Sequence, residues 1–471
     1  MPGSCQIWRS LGLAASLLFL ASGAIAGDPP PPPAGGQPIA ASNAPPMGAH
    51  ADAAPAASSH AEAVPLGTVV SYQNWQRYAR FMPVGMRTLF AGDHFWRMPA
   101  DVRIEVGPVV AIPLPDRYLA DTARDAGAVK LAQLPTGGYA PTGYVAGIPF
   151  PDAQRDPTLA PYEIFYDAYY HYAPRLQRMT SCNYTGDSWG NFTQTQIADS
   201  VYSQLTYLSD AGFPQTVPDS NGYYLVKYYE QLYPEQGKYT TSLDISYADA
   251  TRLDDTYLPS ARRPLRLSEA SRCSPFPGND FTWDESNYGP PSLPQTFKIT
   301  YAGLRPMLFL VHLNPQVFKR CGGATGPPAE FFYPGGKGVV PWPRPTLGKW
   351  EMRDVYVVEM SRLPAFASGY CYSKRVLYID KQTFFPLAID LYDPAGQLYK
   401  SWIEFQSPMR VPGTGTALGV NGANELLIAN FKDKHLTVST AEHPCFNSDC
   451  SAQYLDASRY ASPDGLSKIA Q

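Results

Sequence analysis

The sequence predicts an α+β protein that is mainly antiparallel β. Two observations carry this expectation. From Gly222 onward apolar and polar residues alternate with period two, the signature of half-buried strands. Short polar turns separate these runs, and no helix of crossover length lies between them near the C-terminal end. Strands joined that way must run antiparallel. Each strand then has one apolar face, which helices, a second sheet or a ligand must cover.

The chain has 471 residues with a net charge of −4, and charged residues are 17% of it. No run of Lys or Arg stands out, which argues against nucleic acid as a partner. The first residues read as a secretory signal: Arg9 is followed by the apolar stretch Leu11–Leu20 and by Ala24-Ile25-Ala26, with cleavage expected after Ala26. That stretch is too short to span a bilayer, and no later one reaches 18 apolar residues, so no integral membrane protein is expected. Cys5 precedes the apolar stretch. The remaining six cysteines, Cys182, Cys273, Cys321, Cys371, Cys445 and Cys450, are an even set in an exported chain. They suggest disulfides, with about 15 full pairings open and a local Cys445–Cys450 clip favoured.

Residues 27–66 are a Pro- and Ala-rich linker that cannot bury a core, and His50 and His60 fall near or within it. Residues 67–440 form the folded domain, with a mixed helical and loop-rich part over 67–220 and the sheet over 221–410; 441–471 are a tail. Helices are expected over Tyr72–Arg80 with Asn74 as cap, over Asp116–Asp125, and over Tyr162–Leu176. Tyr239–Tyr247 pairs with the preceding YYLVKYYEQLY across a Pro234–Gly237 turn. Further strands are expected at Arg262–Leu267, Phe297–Tyr301, Met307–Leu313, Trp350–Met360, Tyr370–Ile379, Phe385–Tyr392 and Leu398–Phe405. The last three form a meander with turns at Asp380–Thr383 and Asp393–Gly396. In its middle strand Phe385, Leu387, Ile389 and Leu391 share one face, and Asp390 and Tyr392 the other.

Catalytic signals are weak. Gly186-Asp187-Ser188-Trp189-Gly190 fits the nucleophile-elbow string, with His312 or His435 downstream, but an elbow needs a strand before it and a helix after it. Asp280, Asp284 and Glu285 lack calcium-loop spacing and read as a solvated turn. His443, Cys445 and Cys450 lack a fourth metal ligand. Arg262, Arg263 and Arg266 could receive an anionic head group or simply be solvated. No cofactor is expected.

The phrases YARFMPVGMRTLFAGDHFWRMPADVRIEVGP, YVAGIPFPDAQ, SARRPLRLSEASRC, GKWEMRDVYVVE and YCYSKRVLYIDKQTFFPLAIDLYDPAGQLYK resemble the bacterial family known as domain of unknown function 1329, over about residues 70 to 405. The meander is also similar to the envelope lipoprotein-sorting proteins. That resemblance implies an open curved sheet or half-barrel covered by helices, and a periplasmic protein binding a lipid or other hydrophobic cargo in an apolar cavity. It further implies an inner-membrane exporter of the resistance-nodulation-division type and an outer-membrane partner. The expected cavity liners are Leu243, Ile245, Tyr247, Phe309, Val311, Tyr356, Val358, Phe385, Leu387, Ile389 and Leu391. A chain of ~16 methylenes at ~0.8 kcal/mol each would gain ~13 kcal/mol before ordering costs, so release needs a partner. The expectation is a carrier without catalytic residues. Two alternatives stay open: a module binding envelope polysaccharide, which abundant Tyr and Trp would suit, and an esterase using Ser188.

Overall fold

The computed structural model describes residues 63–466 apart from 153–154, 219, 249–250, 277, 286–293, 415–416 and 463–464. The signal segment, Cys5 and the linker up to residue 62 lie outside the described residues.

One antiparallel sheet of 13 strands dominates the structure. Its strands, numbered in chain order, are β1 (Leu176–Gly186), β2 (Phe192–Gln204), β3 (Tyr223–Tyr233), β4 (Thr241–Tyr247), β5 (Arg252–Leu258) and β6 (Arg263–Arg266). They continue with β7 (Phe297–Phe309), β8 (Glu351–Arg362), β9 (Lys374–Asp380), β10 (Pro386–Tyr392), β11 (Leu398–Arg410), β12 (Ala417–Asn430) and β13 (His435–Phe446). Their order is β6-β5-β4-β3-β2-β1-β13-β12-β11-β10-β9-β8-β7. Two meanders therefore meet where β13 pairs with β1. The edge strands β6 and β7 do not pair, so the sheet is open. Register shifts in β1/β2, β2/β3, β7/β8 and β9/β10 supply the local bends that let so wide a sheet curl.

The helices are few and short: α1 (Trp75–Tyr78), α2 (Val84–Ala91), α3 (Asp116–Asp125) and α4 (Ala160–Tyr169). The predicted α3 has the observed bounds. The helix expected over Tyr162–Leu176 instead stops at Tyr169, because Pro174 cannot continue a helix and disfavours helical backbone just before it; Leu176 already opens β1. Phe297–Tyr301 and Met307–Leu313, expected as two strands, are parts of the single strand β7. β1 and β2 lie in the part expected to be helical and loop-rich, and β12 and β13 run past the expected end of the sheet at residue 410.

Opposite residues on paired strands share a face. Val358, Leu377, Ile389 and Trp402 lie side by side across β8 to β11, and so define one face. On it α4 packs against β7 and β8. α2 sits on the opposite face. Its first amides, Val84 N and Gly85 N, donate to the Asp390 carboxylate at 3.0 and 3.1 Å, joined by the hydroxyls of Tyr378 and Ser401 at 2.8 Å each. A Cβ on Gly85 would lie 1.8 Å from Ser401 Oγ, so only glycine lets the helix approach. Asp390, expected on a wet face, is fully buried: an ion at a helix N-terminus satisfies orphan amides and meets the positive end of the dipole. On β1 to β5 the corresponding face packs Val201, Val226, Tyr228, Leu243 and Ile245 beneath the C-terminal segment, through Tyr460 and Leu466.

Candidate functional site

Residues 273–276 and 278–285 form a strap over the face that carries Trp402. It begins at Cys273, which is disulfide-bonded to Cys371 just ahead of β9. Preceding it, Arg272 lies 3.9 Å from Asp254 on β5. The strap therefore ties the two meanders together. Its turn forms where Asn279 N donates to Phe276 O and Phe276 N to Phe281 O, both at 3.0 Å. Gly278 occupies the left-handed region there, at φ +72°, which glycine adopts without strain.

Three buried carboxylates hold the strap down. Asp280 accepts from Thr437 Oγ1 at 2.9 Å and Asn430 Nδ2 at 3.0 Å, and lies 2.7 Å from His435 Nδ1. Asp284 accepts from Arg375 and Tyr370. Glu285 accepts from Tyr372 and lies 3.5 Å from Lys400 Nζ. The sequence reading of these three acids as a solvated turn is corrected: all are almost fully buried, and protein groups satisfy them in place of water or a cation. The hydrogen bond that His435 donates to the Asp280 carboxylate pushes the His435 pKa up, against the effect of its burial.

Between strap and sheet lies a recess of about 330 Å³, at the small end of ligand sites. The strap supplies its roof: Phe276 stacks on Trp283 at 3.8 Å between centroids and meets Phe281 at a tilt at 4.6 Å. Trp402 and Tyr229 stand on either side, each 6.2 Å from a strap ring. Leu258, Leu265 and Leu267 close the β5–β6 side. The floor carries the polar side chains Ser181, Asn183, Gln196, Ser200, Gln231, Ser242, Thr256 and Ser439, interleaved with Met179, Ala198, Leu426 and Ala441. Its side chains bond sideways, Asn183 Nδ2 to Gln196 Oε1 at 2.8 Å and Gln196 Nε2 to Gln231 Oε1 at 3.2 Å. A second, shallower hollow beside His312 and Met409 has no comparable roof.

None of the eleven expected liners borders this recess. Leu243 and Ile245 point to the opposite face, under Tyr460, with Tyr247 packed at the margin. Phe309, Val311, Tyr356, Val358, Phe385, Leu387, Ile389 and Leu391 sit in the main core with the residues of α4. Ile389 does share the face of Trp402, but past Trp402 protein fills the space: Phe385 meets His171 edge-on at 5.2 Å, and the Tyr356 hydroxyl donates to Asp152 at 2.6 Å. The sequence missed the polar floor because serine and glutamine on a strand read as solvated. The aromatic spacing of the strap was its one legible signal.

Of the head-group candidates, Arg262 and Arg263 are exposed at the β6 edge and Arg266 pairs with Asp255 at 3.1 Å. The six cysteines form Cys182–Cys321, Cys273–Cys371 and Cys445–Cys450, which takes Cys445 and Cys450 out of any metal site. Ser188 lies in the β1–β2 hairpin turn, where Asp187 accepts from the amides of Trp189 and Asn191 at 2.9 and 3.0 Å. A strand follows rather than a helix, so Ser188 does not sit on a nucleophile elbow. Its would-be histidines are engaged elsewhere, His312 with Glu351 and His435 with Asp280.

A family model described as protein of unknown function (DUF1329) matches residues 69–462. The chain belongs to the DUF1329 family. A solved DUF1329 protein from Desulfovibrio piger is similar at 14% identity and TM-score 0.43, covering 66% of this chain and 100% of that one. A domain described as an outer-membrane lipoprotein-sorting protein, from Vibrio parahaemolyticus, is similar at 14% identity and TM-score 0.40, over 61% and 92% of the two chains. A LolA superfamily protein from Nitrosomonas europaea is similar at 10% identity and TM-score 0.35, over 63% and 96%. No curated protein matches. In this DUF1329 chain no helix among the described residues is long and apolar enough to cross a membrane.

Proposed function

We propose that the chain is a periplasmic carrier that holds a hydrophobic molecule in the recess beneath the strap. The observation that carries this reading is the aromatic roof, Phe276, Phe281 and Trp283, held over open space by buried pairs at Asp280, between its first two rings, and at Asp284 and Glu285, just past the third. Apolar rings left facing a cavity gain free energy when a guest replaces water, at about 25 cal/mol per Å² buried. Three disulfides support an oxidising compartment, reached after cleavage following Ala26, with residues 27–66 as a tether. Binding and release need no bond-breaking step. A guest buried this way leaves slowly for water, so handover calls for a partner, and an exporter of the resistance-nodulation-division type with an outer-membrane component fills that role.

The test is to purify the chain from its native periplasm, extract it with organic solvent and analyse the extract by mass spectrometry. The expected result is one hydrophobic compound in near-stoichiometric yield, lost in Trp283→Ala protein that remains folded. Extracts no richer than those of an unrelated periplasmic protein would sink the reading.

A further inference from the structure

The recess is lined by no Asp, Glu, Lys, Arg or His among the described residues. This is not for want of charges nearby. On β3, Tyr229 lines the floor while Lys227, two residues away on the same face, is turned toward Asp244 at 4.0 Å. On β4 and β5, Ser242 and Thr256 line it, and Asp244 and Asp254 beside them are held by Arg252 at 2.9 and 2.6 Å. In the strap, Phe281 and Trp283 line the roof, while Asp280, Asp284 and Glu285 pair with the sheet. Charges border the recess along its length, and each spends itself on a neighbour.

We infer that the enclosed part of the ligand is an uncharged amphiphile, with a hydroxyl or amide hydrogen-bond donor on one side and an apolar surface on the other. This rests on the carrier reading and narrows its cargo. The roof offers chiefly aromatic faces, those of Phe276, Phe281 and Trp283. The floor offers serine and threonine hydroxyls, each with two acceptor lone pairs, and the Asn183 carbonyl; Thr256 Oγ1 and Asn183 Oδ1 are buried with no hydrogen-bond partner among the described residues. Neighbouring side chains satisfy parts of this floor without a guest: Ser181 and Ser200 hydroxyls are 3.3 Å apart, and Asn183, Gln196 and Gln231 form an amide ladder. Acceptor capacity is left over. A ligand hydroxyl or amide N–H would use it. A bare alkyl chain would dry the floor without replacing its hydrogen bonds, which is costly. A carboxylate or phosphate carries acceptors only and would meet no cation in the lining, so its desolvation would go uncompensated.

Three probes with one alkyl chain separate these cases on the delipidated full chain: monopalmitoylglycerol, methyl palmitate and palmitate. Titration calorimetry at mildly alkaline pH keeps palmitate ionised. The expected order is monopalmitoylglycerol tightest, methyl palmitate weaker, and palmitate weakest by about tenfold or more relative to the first. In Thr256→Val and Ser242→Ala proteins the lead of monopalmitoylglycerol over methyl palmitate should shrink, with methyl palmitate binding no more weakly than before. Palmitate binding as tightly as monopalmitoylglycerol would overturn the inference and leave the carrier reading standing. No binding by any of the three, in folded protein, would overturn both.

Discussion

His435 Nδ1 lies 2.7 Å from Asp280 Oδ2, and this pair fastens the strap to the first residue of β13. The hydrogen bond favours the protonated imidazole and raises its pKa. A raised histidine contributes stability that is fully present below the unfolded-state value of about 6.5 and is lost as pH rises through the folded value. Strap anchoring should therefore weaken from mildly acidic to mildly alkaline pH. Other groups titrate over the same range, so the reading is the difference between proteins: the lead in urea midpoint of the parent protein over His435→Asn should shrink as pH rises. Equal slopes for the two proteins would remove this pair from the account.

Arg375 and Asp284 form the second clamp, and both side chains are almost wholly buried. Buried pairs are weak evidence for net stability, but removing one partner strands the other charge at a cost of about 3–5 kcal/mol. Arg375→Met should destabilise by that amount, even though the Tyr370 hydroxyl still donates to Asp284. The double variant Arg375→Met/Asp284→Leu should recover part of the loss. A single-variant cost below about 1 kcal/mol in chemical denaturation would show that the strap does not depend on this contact.

The meander was the most legible part of the fold, because alternation over Phe385–Tyr392 and two polar turns leave few other structures open. β1 and β2 were illegible for the converse reason. LQRMTSCNYTG and FTQTQIADSVYSQ place polar residues on the face that turns toward the recess, so neither strand shows an apolar stripe there. The expected liners meet the same difficulty. Alternation reveals that Leu387 and Ile389 share a face, but not whether protein or a guest covers it. α4 lies more than 200 positions earlier in the chain, and it packs on that side of the sheet against β7 and β8. Likewise Asp280, Asp284 and Glu285 read as solvated because their partners, His435, Arg375 and Lys400, are remote in sequence.

The two sides of Trp402 should accordingly respond differently to mutation. Leu387 is 1% exposed within the core, and Leu387→Ala should cost about 2–5 kcal/mol through lost transfer energy and the cavity left behind. Ligand affinity of the protein that remains folded should not change. Trp283→Ala removes a wall of the recess and should weaken binding of monopalmitoylglycerol severalfold or more. If Leu387→Ala weakens binding as much as Trp283→Ala in folded protein, the guest occupies the α4 side and the site has been misplaced.

Lys227 tests the charge balance next to the recess. Its ammonium is buried 5.8 Å from the Tyr202 ring centre and 4.0 Å from Asp244. Burial pulls its pKa down to about 7, although Asp244 opposes the shift. The unfolded chain holds this proton up to pH ~10.4, so between about 7 and ~10.4 it binds more protons than the folded chain does. Stability from this group must then climb as pH rises through that window, by at most ~1.4 kcal/mol per pH unit. Below the window the cost is constant, and above it the cost vanishes. Lys227→Met removes the term while Asp244 keeps Arg252 at 2.9 Å. The variant should be the more stable protein near neutral pH, with its advantage shrinking toward alkaline pH; parallel profiles for the two proteins would refute the assignment. The direction of the shift also fits the lining of the recess. A lysine that readily sheds its proton leaves Arg252 and Arg272 facing Asp244 and Asp254, two charges of each sign. The polar floor then borders a cluster that presents no excess charge to a guest.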